Sequence, residues 1–153
     1  MSKIIASENL ADLRRIHDRL QSFNLLKTGK NTSSCVYENP HGAKAFLLAG
    51  GNREGGGIVY YFYTVPETGK REVFIELLFL EESVRGTGGG ALLVDAVKEA
   101  AVKEGAEAVE VTTASYQAPG FYLKRGFSIV EETPSPVPNF PENKRYRLRM
   151  KLV

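Results

Sequence analysis

The chain has 153 residues, 42% of them hydrophobic and 25% charged, with a formal net charge of +2. That is the profile of one ordinary globular domain spanning residues 1–153, and it excludes a disordered or collagen-like chain. The charge argues neither for nor against nucleic acid. The basic residues are spread out, and no nucleic-acid partner is expected.

No apolar run approaches membrane-spanning length, and the first residues carry no signal-like apolar core, so no membrane association is expected. The single cysteine, Cys35, rules out an internal disulfide and suits a reducing, cytoplasmic setting. In that setting the sequon-like Asn31-Thr32-Ser33 reads as accidental.

Taken in order, Lys3-Ile4-Ile5 is a candidate first strand. Ser7 makes a good N-cap, and Leu10, Leu13, Ile16, Leu20 and Phe23 recur on one face, predicting an amphipathic helix over residues 8–22. Residues 24–40 are polar and turn-rich, with a weak strand signal at Cys35-Val36-Tyr37. Ala43–Ala49 and Gly57–Thr64 read as strands of a hairpin whose flexible tip is GGNREGGG.

After the turn Pro66–Lys70, Arg71–Leu80 reads as a central strand, apolar on both faces. Alternation puts Val73, Ile75, Leu77 and Phe79 on one face and Phe74, Leu78 and Leu80 on the other. Glu76 interrupts the second face. A carboxylate there is ion-paired at the end of the sheet, desolvated with a raised pKa, or open to a cleft. The glycine-dense turn that follows so closely favours the cleft.

That turn, Arg85–Gly90, opens a helix over residues 90–104, with Leu93, Val97, Ala100 and Ala101 facing inward and Gly105 as its stop. Ala108–Thr113 is the next strand, Ala118–Arg125 a short helix, and Phe127–Val130 another strand. Residues 133–143 hold four prolines in a crossing loop. Tyr146, Leu148, Met150 and Leu152 then alternate with basic residues in a last strand whose basic side reads as a solvated face. The expected fold is α/β in the α+β sense: a central mixed, mostly antiparallel sheet flanked by helices.

A strand, a loop rich in backbone N–H groups and a helix N-terminus together form an anion site suited to a phosphate-bearing cofactor. Gly86-Thr87-Gly88-Gly89-Gly90-Ala91 fits the weak dinucleotide fingerprint G-x-G-x-x-A, and Glu110 could pose as its ribose-binding acid. Three features oppose this. Residues 81–85 separate strand from glycines, the preceding strands form a meander, and the chain is short for a dinucleotide enzyme with a substrate domain. No metal-ligand spacing occurs.

Arg85-x-x-Gly88-x-Gly90 fits the R/Q-x-x-G-x-G/A acyl-CoA pyrophosphate loop better, and here the sequence resembles the GNAT superfamily of acetyl-CoA-dependent N-acetyltransferases. Ala118-Pro119-Gly120-Phe121-Tyr122-Leu123-Lys124-Arg125-Gly126-Phe127 resembles that family's second signature, A-x-x-F-Y-x-K/R-x-G-F, one helix and one strand downstream. The likeness covers about residues 72–128 and is strongest to small bacterial members with a Q-A-P-x-F-Y segment, here Gln117–Tyr122.

The resemblance implies a three-layer fold and acetyl-CoA as cosubstrate. It assigns the backbone of Arg85, Gly86, Thr87, Gly88, Gly89 and Gly90 to the pyrophosphate, and that of Leu78, Phe79 and Leu80 to the pantetheine arm. The Leu80 N–H would serve the thioester carbonyl. Tyr122 matches the tyrosine that protonates the departing thiolate, and Glu76 stands where several members use a carboxylate toward the amine. Ser115 replaces a common asparagine that holds the pantetheine, and so is a shorter-reaching candidate contact. Gly89 replaces a usually larger residue, which suggests a more flexible turn. His17 and His41 match no catalytic position and read as structural.

The expected activity is therefore transfer of an acetyl group to a primary amine of a small molecule or protein. The rivals are a non-catalytic acyl-CoA-binding or regulatory module and, further off, a dinucleotide-binding oxidoreductase. A homodimer through the late strands fits such sheets.

Overall fold

The computed structural model describes residues 2–30, 38–39, 41–50, 53–117 and 119–152 of the protein. Its strands are β1 (Ser2–Ser7), β2 (Lys44–Gly50), β3 (Arg53–Thr64), β4 (Arg71–Leu80), β5 (Ala108–Ala114), β6 (Ser128–Pro134) and β7 (Lys144–Lys151). The helices are α1 (Leu10–Thr28), α2 (Gly89–Lys103) and α3 (Pro119–Lys124). The strands form one sheet in the order β1-β2-β3-β4-β5-β7-β6. Every pairing is antiparallel except β4 with β5, the two strands joined by the α2 crossover that a parallel pair requires. The expected mixed, mostly antiparallel sheet with flanking helices is what the chain forms.

Helix α1 packs on one face of the sheet, where Leu13 and Ile16 meet Ala45, Val59 and Phe79. On the other face Leu93, Val94 and Val97 of α2 and Tyr122 of α3 meet Ile58, Ile75, Val109 and Leu148. Each fully buried aliphatic side chain contributes about 1.5–3 kcal/mol over an exposed one, so these two layers hold the sheet between them. Among the described residues, no helix is long and apolar enough to cross a membrane.

Helix α1 differs from the expected residues 8–22 at both ends. Its N-cap is Asn9, whose side chain accepts from the Ala11 N–H at 2.9 Å. Ser7 instead accepts from the Asn9 N–H and donates to Asp12 at 2.7 Å, which is the main cause holding the Asp12 carboxyl below its ordinary range. The helix runs on to Thr28 and stops at Gly29, whose φ of 77° lets its N–H close on the Leu25 carbonyl. Asn24 and Thr28 look like loop residues in sequence, but both are buried on the helix and hydrogen-bonded. The strand candidate at Cys35–Tyr37 and the sequon at Asn31–Ser33 lie outside the described residues, as does Ala118.

The hairpin is present, and Gly50, Gly55, Gly56 and Gly57 of the expected flexible tip are strand residues, while Gly51 and Asn52 lie outside the described residues. Gly55 is the extra residue of a bulge opposite Leu48 and Ala49, and Gly56 and Gly57 pair on into β4 and β2. A Cβ on Gly57 would lie 2.6 Å from Ile16 Cδ1 and 2.8 Å from the Phe46 carbonyl oxygen. Glycine is needed here because the Ile16 side chain of α1 and the Phe46 carbonyl of β2 fill the space a Cβ would take.

The faces of β4 are also redistributed. Val59 pairs with Leu77 and Tyr60 with Ile75, leaving Glu76 as an extra residue on β4. This bulge breaks the two-residue alternation. Val73 and Ile75 therefore share the α2 face with Leu78 and Leu80, while Leu77 and Phe79 turn to α1.

On β7 the basic side is not simply solvated. Arg149 grips Glu72 with both terminal nitrogens, at 2.6 and 2.5 Å, and Tyr63 donates to the same carboxylate at 2.9 Å. Arg147 donates to Glu110 at 2.8 Å. These bonds span β3, β4, β5 and β7, and the Arg149 contact is the largest cause holding the Glu72 carboxyl below its usual range.

Candidate active site

The site begins where β4 and β5 part. They pair only over Val73–Ile75 and Val109–Val111, and beyond that register the strands diverge at the Glu76 bulge. The gap is a cleft of about 610 Å³, lined by residues 75–80 of β4 and 111–113 of β5. Strand β3 stays paired to β4 as far as Leu80, and the Glu81 N–H turns toward it, onto the Gly55 carbonyl at 2.9 Å. By strand alternation the N–H and C=O of Leu80 therefore face the cleft side, as do those of Leu78. The Leu80 carbonyl oxygen accepts from Arg85 Nε at 2.9 Å, in keeping with this orientation.

The glycine turn lies at the end of this cleft. After a 3-10 turn at Glu82–Val84 the chain passes through Gly86 and Gly88, with φ of 79° and 88°, and Gly88 is the N-cap of α2. The first α2 bond runs from the Leu92 N–H to the Gly88 carbonyl, so the preceding amides have no helical acceptor. The positive end of the helix dipole adds to them.

Gly89 and Gly90 have a different reason for lacking a side chain. A Cβ on Gly89 would sit 2.4 Å from Leu48 Cδ2, in a side chain only 1% exposed, and one on Gly90 would sit 3.1 Å from the Phe121 ring. Gly89 thus seats α2 against the sheet and does not loosen the turn. Thr87 is tied back to the Val84 carbonyl at 2.5 Å, while the Arg85 guanidinium lies over the rings of Phe23 and Phe79, 5.0 and 5.6 Å from their centres.

Tyr122 enters from α3. It is 7% exposed, lines the cleft, and stands edge-on between Phe121 and Phe127, with ring centres 5.1 and 5.5 Å away. Burial pushes its phenol well above the ordinary tyrosine range, so the hydroxyl keeps its proton at neutral pH. Glu76 also lines the cleft. Its charge helps raise the Tyr61 phenol, after desolvation of that ring, and Tyr61 packs against the core on the α1 face.

Leu78, Phe79, Leu80, Arg85, Gly86 and Gly90 all line the same cleft as Glu76 and Tyr122. Ser115 stands apart. Its hydroxyl donates to Asn143 Oδ1 at 2.7 Å and accepts from the Lys144 N–H at 2.9 Å, and it is not among the lining residues. His41 stacks on Tyr61 at 4.4 Å, and His17 lies 3.2 Å from Asp18, both outside the lining.

Sequence reasoning missed Leu20, Phe23, Thr112, Tyr116 and Gln117, which complete the walls. Gln117 accepts from the Ala114 N–H at 3.1 Å and donates to the buried Asn24 at 3.0 Å, tying α1 to the parted end of β5. Its place in the Q-A-P segment was the available signal. Phe23 gave none beyond its place in an apolar stripe.

Three solved structures show what this arrangement is similar to. The IAA acetyltransferase from Bacillus cereus superposes with a TM-score of 0.69 at 19% identity, over 99% of each chain. Arabidopsis thaliana NAA60 in complex with acetyl-CoA gives 0.69 at 13% identity, over 99% of this chain and 98% of that one. Arabidopsis thaliana Naa50 in complex with the bisubstrate analogue CoA-Ac-MVNAL gives 0.66 at 18%, over 97% of each. At such identities the likeness is one of fold. No curated protein matches the sequence. The family model described as "Acetyltransferase (GNAT) domain", however, matches residues 44–135. With more than half of its length matched, including the glycine turn, β5 and α3, the chain belongs to the GNAT acetyltransferases.

Proposed function

We propose that the protein, as one domain over residues 1–153, moves an acetyl group from acetyl-CoA to a primary amine by direct attack, without a covalent enzyme intermediate. The observation that carries this reading is the parting of β4 and β5, which joins the glycine turn, the exposed Leu80 amide, Glu76 and Tyr122 along one cleft.

The amides at Arg85–Gly90 and the α2 N-terminus hold the pyrophosphate. The cleft-facing edge of Leu78–Leu80 receives the pantetheine arm, once the Arg85 side chain leaves the Leu80 carbonyl. The cosubstrate supplies a thioester. The residues around it orient it, donate to its carbonyl oxygen from the Leu80 N–H, and move protons. As the amine nitrogen bonds to the acetyl carbon and the carbon–sulfur bond breaks, Tyr122 gives its proton to the sulfur. Glu76 takes or positions the proton lost by the amine. In place of the expected Ser115 contact, Gln117 and Thr113 wall this part of the cleft, since the serine hydroxyl is engaged by Asn143.

The Q-A-P-x-F-Y segment supports placing the chain with the small bacterial members of the family. A cytoplasmic location and a homodimer through the late strands are part of the same reading. Of the two sheet edges, β1 and β6, the late one is β6, which exposes Ile129 and Val130.

Thermal denaturation with acetyl-CoA, CoA and NAD tests the cosubstrate. Acetyl-CoA at 100 times its Kd is expected to add about 2.7 kcal/mol to the native state. Stabilisation by NAD alone would overturn the reading, and acetyl-CoA binding without thiol release on any amine would leave a non-catalytic module. Glu76→Gln is expected to lower kcat by about 100-fold, the lower end of what a positioned base contributes. An effect confined to KM would reduce Glu76 to holding the amine.

A further inference from the structure

Beside the cleft, on the α1 face of the sheet, lies an arginine that none of the proposed chemistry uses. Thr112 lines the cleft from β5, and the residue directly opposite it on β7 is Arg147. Directly paired residues of an antiparallel ladder sit about 4.5–5.5 Å apart at Cα and project from the same face. Thr112 and Arg147 therefore follow one another across β5 and β7 on one face, running outward from the cleft that Glu76 also lines.

Arg147 is held in place from behind. Its Nη1 donates to Glu110 Oε1 at 2.8 Å, and that carboxylate is only 14% exposed. Arg147 itself is 42% exposed, and its other N–H groups have no acceptor among the described residues. A guanidinium fixed by a largely covered carboxylate presents its remaining donors as a ready fork for a planar anion.

Two residues along β7, on the same face, Arg145 pairs with Ala114 and is exposed, with no ion pair among the described residues. The backbone beside it is fixed, because the Lys144 N–H donates to Ser115 and the Asn143 side chain accepts from Ser115. Glu72 and Glu110 pair with Arg149 and Arg147, whereas Arg145, at the cleft-side end of the ladder, is held in no ion pair among the described residues. Glu131 of β6 is opposite Arg147 on the far side, but it is exposed and forms no ion pair with it.

We infer that the acceptor is an amino acid, with its amine at Glu76 and its carboxylate held by Arg147 and Arg145. This rests on the acetyl-transfer reading above and narrows it. A diamine would bring a second cation to the arginines, and a peptide N-terminus would bring them a neutral amide. The feature recognised is an anion beside the amine, and a planar carboxylate fits the guanidinium edge better than a tetrahedral phosphate does.

The test is thiol release from acetyl-CoA with matched acceptors: an amino acid, its carboxamide, its dipeptide, ethylenediamine and O-phosphoethanolamine, run over several side chains. The free amino acid is expected to exceed its carboxamide in kcat/KM by roughly 10- to 100-fold, the scale of a charged hydrogen-bonded pair. Arg147→Gln and Arg145→Gln should each shrink that ratio, mainly through the KM of the free acid. Arg145 is exposed and unpaired among the described residues, so its variant reports even if replacing Arg147 impairs folding. Carboxamides, dipeptides or the diamine used as well as the free acid would overturn the inference while leaving acetyl transfer standing, and so would a ratio that survives both substitutions. Preference for the phosphoamine would overturn the carboxylate assignment. Release with no acceptor at all would remove both this inference and the acetyl-transfer reading beneath it.

Discussion

Replacing Tyr122 with phenylalanine is expected to lower kcat by about 10²–10⁴-fold, the usual contribution of a positioned general acid. The Kd for acetyl-CoA should stay within a few-fold of its original value. The two effects separate because the ring and the hydroxyl do different work. The ring stands edge-on between Phe121 and Phe127 and fills the α3 side of the core, which phenylalanine does equally well. Only the hydroxyl can give a proton to the leaving sulfur. Burial raises the phenol's pKa, so the acid form persists through neutral pH, and no alkaline loss of rate below about pH 10 should arise from this group. Steady-state kinetics with calorimetric binding would decide the matter. A kcat unchanged by the substitution would make Tyr122 a core aromatic and nothing more.

The second large effect is on stability. Gly56→Ala is expected to cost on the order of 3–5 kcal/mol, with an unfolding midpoint shifted to match. Gly56 has φ of 116°, and a Cβ there would lie 2.1 Å from the Phe79 carbonyl oxygen and 2.9 Å from Leu80 Cα. Both neighbours are backbone of the strand that edges the cleft, so no rotamer change can make room. Gly69→Ala is the control. Its φ is 69° with nothing within 4 Å of the added carbon, so it should cost only the left-handed preference, about 1–2 kcal/mol. Equal losses for the two variants would show that backbone conformation, and not the closeness of β3 and β4, sets the requirement at Gly56.

Legibility in the sequence followed the physics of each signal. β4 and α2 are long and strongly patterned, and β4 falls on the residues where it was expected. α1 was read too short because Asn24 and Thr28 are buried polar residues, satisfied through Gln117 in one case and the Asn24 carbonyl in the other. Composition cannot distinguish such residues from a solvated loop. The hairpin glycines were misread for a related reason. A glycine that leaves room for a helix side chain and one that makes a turn are the same letter, and only the packing of Ile16 over Gly57 separates them.

Local patterning alone places a strand, a glycine turn and a helix one after another from Phe74 to Ala91, with an aromatic segment of α3 one strand later. Local spacing carries that information, because cap, turn and helix are set by neighbouring residues. The tertiary structure decided what those pieces face. The bulge at Glu76 reversed the faces of the end of β4, and β4 parted from β5 after three paired residues on each strand, which opened the cleft. Ser115 was drawn to Asn143, twenty-eight residues away, and Arg147 was set beside Thr112. Register and bulges arise from pairing between distant strands, where each partner's position depends on the other. No window of sequence holds both.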